Sequence, residues 1–328
     1  MLIRANAKIN WTLDTVGVRA DGYHLLDMLM QSISLHDTLT LEPAEDITFS
    51  AGGATRVPQD ESNLALRAAL ALRGYTGTER GAAIHLHKRI PSGAGLGGGS
   101  ADAAAVLHGL NALWELNLPL ETLLQLGLTL GADVPFCLTG GLARVQGIGE
   151  VIAPLPCGRV YHLVIVQPCR GLSTPQVFRT LDMLGKPASR PDMQRAQEAL
   201  TGGSLAQLSA SLGNTLQPAA VSLRPQIRQA IACLREHGAR AAQMTGSGSA
   251  VFGVFATAAA ARTAFTALSR RYPRCYLAQT IQDREKSSRL IEVCASDSRL
   301  LLYCVFYTRR SAGLALRDRS AISPRISR

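Results

Sequence analysis

Between Pro91 and Ala105 the chain reads PSGAGLGGGSADAAA, with five glycines inside the eight residues Gly93–Ser100 and an alanine-rich, helix-forming run behind them. Such a loop loses much conformational freedom on folding and has little side chain to bury, so packing alone does not account for it. Unencumbered backbone N–H groups leading into a helix N-terminus, where the positive end of the helix dipole lies, form a site for phosphate oxygens. The alternative is a tight strand-to-helix turn in which the glycines are incidental. Two familiar phosphate loops do not fit. A Walker A loop needs Gly-Lys followed by Ser or Thr at the helix start, and here the residues are Gly99, Ser100 and Ala101. Gly93, Gly95 and Gly98 satisfy the dinucleotide pattern G-x-G-x-x-G, but its acidic ribose partner should close a second strand about 20 residues on. That distance falls at Leu118-Pro119, behind one helical segment and ahead of another.

Three other places hold residues with chemical potential. Lys8 and Asn10 lie two apart in a strand-like run, which puts both side chains on one face and within reach of one acceptor. Thr245 to Ser249, TGSGS, is a second glycine turn between two apolar runs and reads as a hairpin turn. His85 and His87 alternate on one strand face in IHLHK; with no third ligand in view they read as ordinary strand histidines.

The elements that must position these residues follow from periodicity. AKINWTLDTVGV and QSISLHDTLTLEP alternate as strands, with RADGYHLLDM between them opened by an Asp-Gly turn. ESNLALRAALALRGY has helical spacing, and GAAIHLHKRIP leads as a strand into the glycine loop. ADAAAVLHGLNALWEL is a helix ending near Asn117, and LETLLQLGLTLG is another that runs into a short polar break, GADVPF. GGLARVQGIGEVIAPLPCG is a Gly/Pro-rich passage, after which VYHLVIVQP begins a second unit. Its later part reads helix (RPQIRQAIACLREHG), strand (ARAAQM), glycine turn, strand (AVFGVFA), helix (AAAARTAFTALSRRYP) and strand (CYLAQTI), an α/β sandwich with an antiparallel sheet.

At 328 residues and 47% hydrophobic content the chain can build two ordinary cores. Of its net charge of +10, +6 sits in residues 284–328, where ten Lys/Arg face four Asp/Glu, so the body is only mildly basic. That suits an enzyme for anionic phosphate substrates. With seven Phe, seven Tyr and two Trp, no basic stretch is interleaved with aromatics, and nucleic acid is not an expected partner. Seven scattered cysteines, Cys137, Cys157, Cys169, Cys233, Cys275, Cys294 and Cys304, contain no C-x-x-C pair and form neither a disulfide framework nor a zinc pattern, so a reducing cytoplasm is expected. The start, MLIRANAKINW, lacks the apolar core of a signal peptide, and no apolar run approaches the ~20 residues of a membrane span.

The loop PSGAGLGGGSADAA resembles the phosphate-binding motif of the GHMP kinases, the group of galactokinase, homoserine kinase, mevalonate kinase and phosphomevalonate kinase. RANAKINWTL is similar to the first motif of that family and QMTGSGSAVFG to its third, three motifs in order across about 280 residues. The resemblance implies an α+β, two-domain GHMP kinase fold: a ribosomal-protein-S5-domain-2-like ATP-binding domain at 1–155 and a ferredoxin-like α/β sandwich at 156–283. Residues 284–328 are expected to be a basic, weakly ordered tail outside the match. AKINWTLDTVGVRADGYHLLDMLMQSISLHD and GADVPFCLTGG further resemble the branch whose small-molecule substrate is an alcohol joined to cytidine diphosphate.

What the resemblance implies about the site is specific. Pro91, Gly93, Gly95, Leu96, Gly97, Gly98, Gly99, Ser100 and Ala101 would cradle the phosphates of ATP, with Asn63 bordering the adenine. Asp133 would take the proton of the accepting hydroxyl, and Lys8 would pair with it and stabilise the developing alkoxide. Asn10 would contact the alcohol or phosphate portion of the substrate. Tyr23 and His24 would frame the cytosine, with Phe178 closing the other face, while Thr245, Gly246 and Ser247 would face the diphosphate. Asp102 would complement the helix N-terminus or approach Mg2+ through water, the metal ligands being otherwise open. The protein is expected to act as a monomer or weak homodimer. The rival readings are another small-molecule kinase of the group, such as a homoserine kinase, and a non-catalytic binding protein on the same fold. The presence of Lys8, Asp133 and the loop speaks against the latter.

Overall fold

The computed structural model describes residues 1–185, 189–282 and 291–292. Two strands dominate the first half: β1 (Leu2–Val18) and β2 (His24–Ala44) pair antiparallel along nearly their whole lengths, joined by the tight turn at Arg19–Tyr23. Then come β3 (Ile47–Gly53), α1 (Leu64–Thr76), β4 (Gly81–Lys88), α2 (Gly98–Leu113), α3 (Leu120–Leu130), α4 (Val134–Thr139), β5 (Leu142–Gly147) and β6 (Val151–Leu155). The far edge of β2 is shared: β5 pairs with Leu26–Gln31 and β4 with Thr38–Ala44. β3 lies parallel on β4, and β6 antiparallel on β5.

The second half comprises β7 (His162–Val166), α5 (Thr174–Leu184), α6 (Met193–Gly202), α7 (Leu205–Ser211), β8 (Gly213–Asn214), α8 (Gln217–Leu223), α9 (Gln226–Glu236), β9 (Ala241–Met244), β10 (Val251–Phe255), α10 (Ala258–Leu268) and β11 (Cys275–Gln279). Its sheet runs β11-β7-β10-β9, antiparallel throughout, as the strand and helix alternation predicts. The short β8 pairs parallel with Thr12 and Leu13 of β1, which ties the second half back to the first sheet.

Three apolar clusters hold these layers. One fills the space between α1, α2 and the β1–β2–β4 sheet, and another lies between the second sheet and α5, α8, α9 and α10. The third joins the two halves: Trp11 of β1 meets Tyr161 and Phe252 edge-on at centroid distances of 5.1 and 5.5 Å, and its indole N–H donates to Gln31 at 2.8 Å. An aromatic body buried with its one polar atom satisfied stabilises such a junction without a polar penalty.

The structure adds to the sequence reading in three local places. The Gly/Pro-rich passage Gly140–Gly158 contains β5 and β6; β6 is a largely exposed edge and shows no apolar alternation to betray it. β3 is also not foreseen, although Ile47, Phe49 and Ala51 alternate with polar residues and pack partly buried against the first core. The break at GADVPF opens α4, with Asp133 at its N-cap and Pro135 in its first turn, a position where proline's missing N–H costs nothing. The tail at 284–328 lies outside the described residues except for 291–292. Among the described residues no helix is long and apolar enough to cross a membrane.

Candidate active site

The glycine loop forms where β4 leaves β2. Asp37 of β2 accepts the amide hydrogens of Arg89 (2.5 Å) and Ile90 (2.8 Å), which turns the chain off the sheet. The loop then enters α2 through Gly97, whose φ of +69° is unfavourable for any residue with a Cβ. The first intrahelical bond runs from Ala101 N–H to the Gly97 carbonyl, so the amides of Gly98, Gly99 and Ser100 are first-turn donors without a partner inside the helix. No acidic residue occupies that first turn, which leaves the positive end of the dipole open.

Two contacts explain why the loop is built of glycine. At Gly95, with φ +76°, a Cβ would lie 2.2 Å from the Thr245 carbonyl oxygen, because the two glycine turns touch backbone to backbone. At Gly97 a Cβ would lie 3.0 Å from Cγ of Lys8, whose stem runs beneath the loop. Gly95→Ala is therefore expected to destabilise the fold by more than ~1 kcal/mol from the left-handed backbone alone, with the carbonyl clash added. A lowered urea midpoint, followed by tryptophan fluorescence, reads this.

Beneath the loop, Lys8 Nζ donates to Asn10 Oδ1 at 2.9 Å and lies 3.2 Å from Asp133 Oδ2. Irregularities in the β1–β2 register fall on either side, between Asn6 and Lys8 and between Asn10 and Thr12. Such bulges re-aim strand side chains. Asn10 Oδ1 also accepts from the Thr245 hydroxyl (3.2 Å), so the buried Asn10 links Lys8 to the second glycine turn. Asp133 stands at the N-cap of α4 yet its carboxylate caps nothing, and it reaches the cavity partly exposed beside an almost fully buried Lys8. A carboxylate with one oxygen on an ammonium and access to solvent is arranged to receive a proton from a bound hydroxyl.

These groups share one cavity of about 930 Å3, at the upper end for a small-molecule pocket and roomy enough for two ligands. Its wall includes Lys8, Asn10, Tyr23, His24, Asp133 and Phe178; the loop contributes Pro91, Gly93, Gly95, Leu96 and Gly97 through Ser100, and the second turn Gly246 and Ser247. Thr245 is fully buried behind that wall, and Ser247 bonds Thr174 at 2.8 Å.

Four expectations change. Asn63 is the N-cap of α1: it accepts from Ala65 N–H and donates to the Pro58 carbonyl, so both ends of its amide are engaged and Leu64 lines the cavity in its place. Ala101 packs into the core beneath the helix rather than facing the cavity. Phe178 does not stand across a gap from His24. The two rings are stacked, with centroids 4.6 Å apart and an interplanar angle of 23°, and so form one platform with no base-wide slot between them. Asp102 does not cap α2; it lies buried with one oxygen 2.7 Å from Lys88 Nζ.

Lys88 is the principal residue that sequence reasoning missed. Its ammonium, almost fully buried, sits between Asp37 and Asp102 at the base of the loop. Burial works against its charge, but the two carboxylates hold its pKa above the ordinary lysine value. Burial pushes the Asp102 carboxyl well above the usual range despite the Lys88 charge, and its second oxygen has no hydrogen-bond partner among the described residues. The two directions pull against each other. Asp37 also takes two backbone amides, whereas Asp102 has one oxygen without a partner among the described residues. A signal was present in the sequence: Ile84, Leu86 and Lys88 occupy alternate inward positions of β4, as do Leu35, Asp37, Leu39 and Leu41 in β2. A charge on an apolar strand face demands a buried partner. His85 and His87 occupy the opposite, exposed face of β4, and His85 bonds Ser50 at 2.7 Å.

Residues 63–141 match the GHMP kinases N terminal domain and residues 194–274 the GHMP kinases C terminal domain. The chain is 40% identical over 284 residues to a 4-diphosphocytidyl-2-C-methyl-D-erythritol kinase of Alkaliphilus metalliredigens, covering 86% of this chain and 97% of that one. It is 46% identical over 254 residues to the enzyme of the same name from Carboxydothermus hydrogenoformans, covering 77% and 87% respectively. A crystal structure of a 4-(cytidine 5'-diphospho)-2C-methyl-D-erythritol kinase superposes with a TM-score of 0.73 at 36% identity, covering 85% of this chain and 99% of that one.

Proposed function

Because this chain belongs to the 4-diphosphocytidyl-2-C-methyl-D-erythritol kinase family of GHMP kinases, we propose that it transfers the γ-phosphoryl group of ATP to the 2-hydroxyl of 4-diphosphocytidyl-2-C-methyl-D-erythritol, in the non-mevalonate route to isoprenoid precursors. The observation that carries this reading is the single cavity that joins the Lys8–Asp133 pair, the glycine loop and the Tyr23, His24 and Phe178 aromatic corner.

Phosphoryl transfer asks the protein mainly for positioning and for charge where charge develops. The first-turn amides of α2 and the loop from Pro91 to Ser100 bind the ATP phosphates. Asp133 receives the proton of the accepting hydroxyl, and Lys8, 3.2 Å from it, offsets the negative charge that builds on that oxygen. Asn10 holds Lys8 in place through its carbonyl oxygen. Gly246 and Ser247 of the second glycine turn face the diphosphate of the substrate, with Thr245 buried behind them, and the exposed Tyr23 ring offers the cytosine a stacking face beside the His24–Phe178 platform. Base stacking of this kind contributes ~1–3 kcal/mol.

Mg2+ is the expected partner of ATP. It binds largely through nucleotide phosphates and water, with one or two protein oxygens. The Ser100 hydroxyl, which lines the cavity at the loop, is a protein oxygen that could join it. The metal shields phosphate charge when bound. We assign 1–155 to the nucleotide-binding part and 156–283 to the second domain, and we place the enzyme in the cytoplasm, in keeping with the free cysteines among its described residues.

The regiochemistry tests the reaction. Phosphorus NMR of the product, formed with Mg·ATP, is expected to show one new phosphomonoester coupled to the 2-position of the erythritol. A phosphate on another hydroxyl would overturn the proposal.

A further inference from the structure

His24 is held from two directions. Phe178 lies over its ring face, and its Nε2 is 2.8 Å from Oδ1 of Asp182, four residues further along α5. One helix thus fixes both the plane and the rotation of the imidazole. The remaining nitrogen, Nδ1, makes no hydrogen bond to the described residues, and both His24 and Asp182 belong to the cavity wall. A carboxylate only accepts, so the proton between the pair resides on Nε2. In the neutral ring Nδ1 is then an acceptor.

We propose that Asp182 is a positioning residue that sets base specificity, by holding His24 in the tautomer whose Nδ1 accepts from the exocyclic amino group of cytosine. Uracil presents a carbonyl oxygen at that place, and two acceptors would face each other without a hydrogen, the arrangement by which hydrogen-bonding sites reject a mismatched analogue. The inference rests on the cytidyl reading above. It goes beyond that reading in assigning the choice of base to a residue outside the aromatic pair.

The test compares the cytidyl substrate with its uridyl analogue at pH 8, and CDP with UDP binding by calorimetry, in the full chain and in Asp182→Asn and Asp182→Glu. The wild type is expected to favour the cytidyl compound. Asparagine can donate to or accept from Nε2, so the tautomer is released and the ratio of kcat/KM for the two bases is expected to fall by at least about tenfold. Glutamate, which can only accept, is expected to restore most of the preference, and KM for ATP is expected to stay unchanged in both. A purely structural role would weaken both bases equally, and that result, or an unchanged ratio in Asp182→Asn, overturns the inference while leaving the kinase reading intact. A wild type that turns over neither compound overturns the kinase reading and this inference with it.

Discussion

Asp133→Asn is expected to lower kcat by about a thousandfold, within the ~10²–10⁴ range for loss of a positioned base and equivalent to roughly 4 kcal/mol of barrier. The side chain is nearly isosteric and Asp133 caps nothing, so the fold and nucleotide affinity should survive. The separation is the point of the experiment. Calorimetric titration with a non-hydrolysable ATP analogue should give wild-type affinity while rapid-quench assays show the loss in turnover. If turnover persists within a few-fold of the wild type, proton removal is not the task of this carboxylate, and Lys8 would be left pairing with a structural neighbour.

The second large effect is expected at a residue that touches no reacting atom. Lys88→Met leaves Asp37 and Asp102 buried with no cation between them. Removing one partner of a buried ionic cluster costs about 3–5 kcal/mol, because the remaining charge must either be desolvated unpaired or take up a proton. The buried Trp11 and Trp114 offer a fluorescence signal for urea denaturation. Asp102→Asn should cost much less, since burial already disfavours the Asp102 carboxylate. The pH dependence reports on Asp102. An acid whose folded pKa is raised favours the folded state as pH falls through that raised value toward the ordinary carboxylate value. The stability of the wild type relative to Asp102→Asn is therefore expected to increase as pH falls toward the ordinary carboxylate range. A Lys88→Met protein as stable as the wild type would show that the cluster is not a net support of the loop.

Much of the architecture was legible because it is written in periodicity. The start of β1, the later part of β2 and α1 show the alternation or helical spacing of one buried face, while α2 and the β9–β10 hairpin, buried nearly all round, were legible as apolar runs bounded by glycine. What escaped were short elements: β3, an edge strand of seven residues, the largely exposed five-residue β6, and α4, six residues long. The proposed catalytic pair and the glycine loop were legible through their resemblance to family motifs, and the structure brings Lys8 and Asp133 together across 125 residues of chain. Asn63 was misread because an amide at the start of a helix is worth more as a cap than as a ligand. Lys88 was not legible from β4 alone because its partner carboxylates, Asp37 and Asp102, come from β2 and α2. The stacked His24–Phe178 pair depends on where α5 comes to rest against the β1–β2 turn region, a tertiary outcome that no local pattern specifies.

The most direct measurement of the central claim is ADP release by the full chain with Mg·ATP and, in parallel, 4-diphosphocytidyl-2-C-methyl-D-erythritol, homoserine and mevalonate. Turnover confined to the cytidyl alcohol is the expected result. Turnover of homoserine or mevalonate instead, or of none of the three, would contradict the substrate assigned to the corner of Tyr23, His24 and Phe178.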